Sequence, residues 1–229
     1  MNTSLYVSAD VVTSTLAMAV VATLAAGLLC ALGLSWTAAR WRPSVALAGV
    51  ALLASFAMYL QSLGIWQSEG SLSAAPRYVG WLSAQTALVA AVYVFARQSG
   101  PVPVGVFWRI VVAAVLMVFS RYLGDAQVFE PTLGALLSIA FWIYILGELY
   151  FGPMADAVRK ASRPIRLGYF WIRLIMTIGW AIYPILHFVD VVIGVGHTPS
   201  IIVLYTFSDI TNLITISLIF MAVAGQERY

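Results

Sequence analysis

Charged residues divide this chain into apolar segments of similar length. Residues 11–39 contain no ionisable side chain, and five more long apolar runs follow before residue 200, each bounded by arginine, aspartate or glutamate. A helix needs about 20 apolar residues to cross the hydrocarbon core of a bilayer. The pattern predicts membrane-spanning helices over residues 11–36, 44–66, 78–96, 104–124, 131–151, 168–189 and 200–224. The turn-forming stretches Ser99-Gly100-Pro101-Val102-Pro103 and Gly196-His197-Thr198-Pro199 fit short connections. The runs are continuous and do not alternate, which argues against a transmembrane β-barrel.

Composition agrees with that pattern. The 229 residues are 62% hydrophobic and 9% charged, whereas a soluble domain has about 25% charged residues. The expected organisation is one seven-helix transmembrane domain over residues 1–229, embedded in the lipid bilayer, with no separate soluble domain. A net charge of +3 gives no reason to expect a nucleic-acid partner. The single cysteine, Cys30, excludes an intrachain disulfide. No basic stretch precedes the first apolar run, so that run is expected to be a span and not a cleaved signal peptide.

Loop charges predict direction. One set of connections carries Arg40, Arg42, Arg97, Arg159, Lys160, Arg163 and Arg166, with Arg228 in the tail. The other carries Asp10, Glu69, Asp125 and Glu130. Cytoplasmic loops hold the excess of lysine and arginine, so the N-terminus is expected outside and the C-terminus in the cytoplasm. The cluster at residues 159–166 reads as a topology signal beside anionic head groups or as a docking surface for a cytoplasmic partner. Arg109 and Arg121, near the ends of the fourth span, are expected to snorkel to the interfaces. Glu148 is expected to reach an interface in the same way.

Local motifs are more specific. Arg77-Tyr78-Val79-Gly80-Trp81-Leu82 resembles the third-helix signature of microbial rhodopsins. Gly179-Trp180-Ala181-Ile182-Tyr183-Pro184 resembles their sixth-helix signature, particularly in the proteorhodopsin branch. Phe141-Trp142-Ile143-Tyr144, Glu148-Leu149-Tyr150 and Ser55-Phe56-Ala57-Met58-Tyr59 resemble parts of that branch's fifth and second helices. In the last span, Asp209 is followed by Asn212 and Leu213, where the family places the lysine that carries retinal. The matches occur in the family's order and cover most of the chain. The resemblance implies a seven-helix bundle of microbial rhodopsin type in a cell membrane, by analogy a bacterial inner membrane. It also implies a retinal slot walled by Trp81, Trp142, Trp180 and Tyr183, with Tyr59 and Asp209 near the attachment end.

The same resemblance marks what is missing. The Schiff-base lysine position is Leu213, the counterion position is Gly80 and the proton-donor position is Ala91. The threonine and proline usual in the third helix are Ala84 and Thr86, and the branch's second-helix histidine is Met58. The only lysine in the chain is Lys160, in a predicted cytoplasmic loop. A buried charge in a membrane is costly without a partner. Losing both the amine and the Gly80 carboxylate leaves Asp209 to pair with Arg77, and a buried Arg77–Asp209 ion pair is expected, as a tie between helices or as a holder of a ligand's polar end. Gly80 reads as a packing residue or as space for a ligand head group. His187 and His197 read as packing and loop residues, and no metal-ligand or enzyme motif is present.

Three functions remain. The first is an opsin-like membrane protein without covalent retinal and without proton pumping, acting as a sensory, scaffold or complex subunit with a membrane-protein partner or as a homo-oligomer. The second is a non-covalent binder of retinal or a carotenoid-type isoprenoid. The third is a retinal photoreceptor or light-driven ion pump, which would need an attachment site that the chain lacks.

Overall fold

The structure is a computed structural model that describes residues 9–72, 75–193 and 198–227, without the side chains of residues 188–193; His197 and Arg228 lie outside the described residues. Helices α1 (Ala9–Trp36), α2 (Arg42–Glu69), α3 (Ala75–Arg97), α4 (Val104–Asp125) and α5 (Pro131–Phe151) are followed by a short α6 (Pro153–Arg159). The sixth span is built from α7 (Arg163–Leu174), a π-helical turn (Ile175–Gly179) and α8 (Trp180–Ile193), and the chain closes with α9 (Pro199–Gln226). Seven stretches are long and apolar enough to cross a membrane. The chain is a multi-pass, all-helical membrane protein.

Helix limits follow local chemistry. Pro43, Pro131 and Pro199 stand in the first turns of α2, α5 and α9, where a missing N–H costs nothing. The Glu130 side chain accepts from the Leu133 N–H at 2.9 Å and caps α5. These bonds and those from Thr132 hold the Glu130 carboxyl below its usual range, with the Thr132 hydroxyl the largest cause. Gly70 ends α2 in the left-handed region at φ 66°, its N–H on the Trp66 carbonyl.

The bundle centre is α3. In its most apolar stretch 67% of residues are buried, against 22% in the fifth span, which therefore lies at the rim. Helices α4 and α5 touch backbone to backbone where Gly124 faces Gly134, and a Cβ on Gly134 would lie 2.7 Å from the Gly124 Cα. At one end of the bundle Glu227 accepts from Arg40 at 3.2 Å and from Ser162, tying the tail to two connections.

The sixth span contains a π-helical turn over Ile175–Gly179. Such turns free backbone groups and often occur at functional sites. Here the Trp142 indole donates to the Met176 carbonyl at 3.0 Å. Gly179 ends the turn, and any Cβ there would run into the Asn212 amide. Pro184 lies inside α8.

Candidate functional site

Asp209 is buried, with 3% of its surface exposed. Three protein donors surround its carboxylate. The Tyr59 hydroxyl reaches Oδ2 at 2.6 Å and the Trp81 indole reaches the same oxygen at 2.8 Å. The Tyr183 hydroxyl donates to Oδ1. One residue each from α2, α3 and α8 thus converges on α9. Hydrogen bonds of this kind satisfy a buried carboxylate that would otherwise be costly.

The expected Arg77–Asp209 ion pair is not formed among the described residues. The Arg77 guanidinium lies 4.9 Å from the Tyr205 ring centre and 5.7 Å from that of Trp81. Trp81, Tyr183 and Tyr205 form one aromatic cluster, with the two tyrosines stacked at 9°. The rings hold the cation by cation–π attraction, and tyrosine and tryptophan donors fill the carboxylate's near positions.

The six predicted pocket residues divide into two groups. Trp81, Trp142, Trp180 and Tyr183 line a central cavity of about 60 Å³, together with Gln85 and Arg121. Tyr59 and Asp209 do not line it; they belong to the hydrogen-bonded cluster. Drug-sized ligand sites are about 300–1,000 Å³, so this cavity is ring-sized and not polyene-sized. Leu213 and Ala91 are buried and also stand outside its lining.

Gly80 does not open space beside Asp209. A Cβ at Gly80 would lie 2.6 Å from Cβ and Cγ of Met58. The two positions therefore pack into one another across α2 and α3, which overturns the reading of Gly80 as room for a head group.

The structure also gives partners to residues that the sequence reading left at helix ends, and brings out others that it passed over. Arg121 is held by a partner on its own helix. Its Nε lies 3.2 Å from Asp125 Oδ1, and the side chains are only 13% and 14% exposed. Tyr78 donates to the same carboxylate group. Gln85 lines the cavity, and its buried Oε1 has no hydrogen-bond partner among the described residues. The i,i+4 spacing of Arg121 and Asp125 was a readable signal; nothing local marked Gln85. Arg109 pairs with Glu148 at 2.8 Å. Arg173 lies over the rings of Tyr150 and Tyr169 at 4.7 and 5.2 Å. His187 is buried in the sixth span. Lys160 is exposed just after α6.

Comparison with known proteins agrees with this architecture. The chain is 26% identical over 190 residues to the green-light absorbing proteorhodopsin of Gamma-proteobacterium EBAC31A08, covering 82% of this chain and 76% of that protein. It superposes on the crystal structure of blue light-absorbing proteorhodopsin from Med12 with a TM-score of 0.81, at 23% identity, covering 95% of this chain and 99% of that one. A thermophilic rhodopsin structure gives a TM-score of 0.85 at 22% identity, covering 95% of each chain. The family model described as bacteriorhodopsin-like protein matches residues 10–226. With nearly the whole chain matched, this seven-helix membrane protein belongs to the bacteriorhodopsin-like, or microbial rhodopsin, family.

Proposed function

We propose that this protein is an opsin-like membrane subunit that forms no covalent retinal pigment, pumps no protons and catalyses no reaction. It acts through contacts with other membrane proteins or with copies of itself, in a sensory, scaffolding or complex-forming role. One observation carries the reading. By the motif match Leu213 stands at the family's attachment position, and it is a buried apolar side chain with no nitrogen to offer an aldehyde.

The surroundings support it. The single lysine, Lys160, is exposed beyond α6 and far along the chain from Leu213. Schiff-base chemistry needs an amine close to the carbonyl carbon. The Asp209 carboxylate already accepts from Tyr59, Trp81 and Tyr183. Gly80 carries no carboxylate, and Met58 fills its place. A cavity of about 60 Å³ does not fit a whole retinal. The residues present therefore do not match a covalent, or fully enclosed, retinal.

A second reading rests on the cavity alone. Its aromatic walls and the unpaired Gln85 Oε1 would suit the ring end of a non-covalently held isoprenoid that carries a hydroxyl donor. One experiment separates the two. Protein purified in mild detergent is mixed with all-trans-retinal, and the visible spectrum is recorded before and after borohydride. The subunit reading expects only the spectrum of free retinal. A shifted band that organic solvent extracts without hydroxylamine supports the second reading. A borohydride-trapped adduct on the protein overturns both.

A further inference from the structure

The outer face of α4 and α5 carries a groove that neither the Asp209 cluster nor the central cavity uses. Its volume is about 560 Å³, and its walls include Trp108, Val112, Leu116, Phe141 and Tyr144, with Arg109 beside them. Trp108, Val112 and Tyr144 are exposed. The two helices touch at Gly124 and Gly134, and the groove lies toward their opposite ends. We propose that this groove binds an anionic phospholipid, its phosphate on Arg109 and one acyl chain lying between α4 and α5.

Donor counting leads to the phosphate. The Arg109 Nε and Nη2 each lie 2.8 Å from the same Glu148 oxygen. A guanidinium has five N–H donors in a planar fork. Two are directed at Glu148, which leaves three. Tyr144 also donates to that Glu148 oxygen, at 3.3 Å. The carboxylate is thus well supplied, whereas the cation is not. Exposure repeats the asymmetry: the Glu148 side chain is 12% exposed and that of Arg109 49%. Near the head-group boundary a half-exposed arginine with donors to spare is open to a lipid phosphate. A phosphate offers charged acceptors in the geometry that arginine matches best.

Position supports the acyl chain. Arg109 is the sixth residue of α4, about 7.5 Å from its start at 1.5 Å per residue. That start follows the connection from Arg97, at the basic end of the bundle, where pockets between helices take anionic head groups. Trp108 and Tyr144 suit this boundary as amphipathic aromatics. From Trp108 to Leu116 the wall continues for about 12 Å, away from the charged end and into the apolar part of the span. The lining is otherwise apolar, so one charged head and one hydrocarbon tail complete it.

The test uses delipidated protein in detergent, titrated with brominated phosphatidylglycerol or brominated phosphatidylcholine. Tryptophan quenching reads occupancy, and native mass spectrometry counts retained lipids. Phosphatidylglycerol is expected to quench with at least tenfold tighter apparent affinity. Trp108→Phe should remove most of the difference in quenching while keeping the retained lipid. Arg109→Gln should reduce phosphatidylglycerol to the phosphatidylcholine level. Because that variant strands Glu148, the neutral pair Arg109→Gln with Glu148→Gln is measured beside it, with circular dichroism to confirm the fold. Glu148→Gln alone should retain or tighten phosphatidylglycerol binding. Equal binding of the two lipids, or unchanged preference in the folded double variant, overturns the proposal. So does a dimer that occupies this face and dissociates in the double variant without any retained lipid.

Discussion

Met58 on α2 and Gly80 on α3 are packed so closely that a change at one is felt at the other. A Cβ at Gly80 would lie 2.6 Å from two carbons of Met58. Overpacking a close-packed core costs about 1–3 kcal/mol. Gly80→Ala is therefore expected to lower stability by roughly that amount. Met58→Ala alone opens a cavity and costs about 2–5 kcal/mol. Combining them should recover only part of the loss, since alanine at 58 removes the Cγ and Sδ that crowd residue 80 but keeps the Cβ that lies 2.6 Å from the added one. Thermal unfolding of all four proteins in one detergent gives the coupling; simple additivity would refute the contact.

The Asp209 cluster predicts a different pattern. Asp209→Ala leaves the Tyr59 and Tyr183 hydroxyls and the Trp81 indole without their acceptor. Each buried donor left unpaired costs about 1–3 kcal/mol, so this variant should be among the least stable. Tyr183→Phe removes one donor and leaves two on the carboxylate, and its expected loss is about 1–3 kcal/mol. If unfolding midpoints show Asp209→Ala no worse than Tyr183→Phe, the carboxylate is not the centre of the network.

Arg121 and Asp125 form a largely buried pair, joined by Tyr78. Removing one partner of such a pair costs about 3–5 kcal/mol, while replacing both with apolar residues is often close to neutral. Asp125→Leu is thus expected to be severely destabilised, and Arg121→Leu with Asp125→Leu much less so. Chemical denaturation in mixed micelles would rank them. A double variant worse than either single one would contradict the pairing.

The contrast between these sites shows which features a single sequence can carry. The seven spans were legible because charges are sparse along a hydrocarbon-length stretch and cluster at its ends. The observed helices extend past the expected limits by a few residues, since the polar ends continue the helix into the interface. The helix over Pro153–Arg159 was not legible, because seven residues with both charges look like a loop. The residues around Asp209 were named from family motifs, but their convergence on one carboxylate was not foreseen, because the donors come from three other helices. The contact of Met58 with Gly80 was hidden because it joins two helices with no pattern linking them. Arg77 was misassigned for a physical reason: charge bookkeeping paired it with Asp209, but Trp81 and Tyr205 lie within its reach and hold it by their faces. The Arg109–Glu148 pair also crosses helices, and only their relative rotation brings it together.

Restoring the family's ionisable residues tests how far the interior has changed. Leu213→Lys with Gly80→Asp supplies an amine and a carboxylate, but the aspartate must enter the volume that Met58 occupies. The double variant should therefore be less stable than Leu213→Lys alone, and adding Met58→Ala, which removes the crowding Cγ and Sδ but not the Cβ, should recover part of the folded yield. A cavity of about 60 Å³ remains too small for a polyene even then. The expected outcome is a folded triple variant that gives no shifted visible band with all-trans-retinal, read by absorption and by mass spectrometry after borohydride. A pigment at full occupancy would mean that Trp142, Trp180 and their neighbours move apart readily. Side-chain chemistry at residues 213, 80 and 58, and not closure of the slot, would then decide whether a pigment forms.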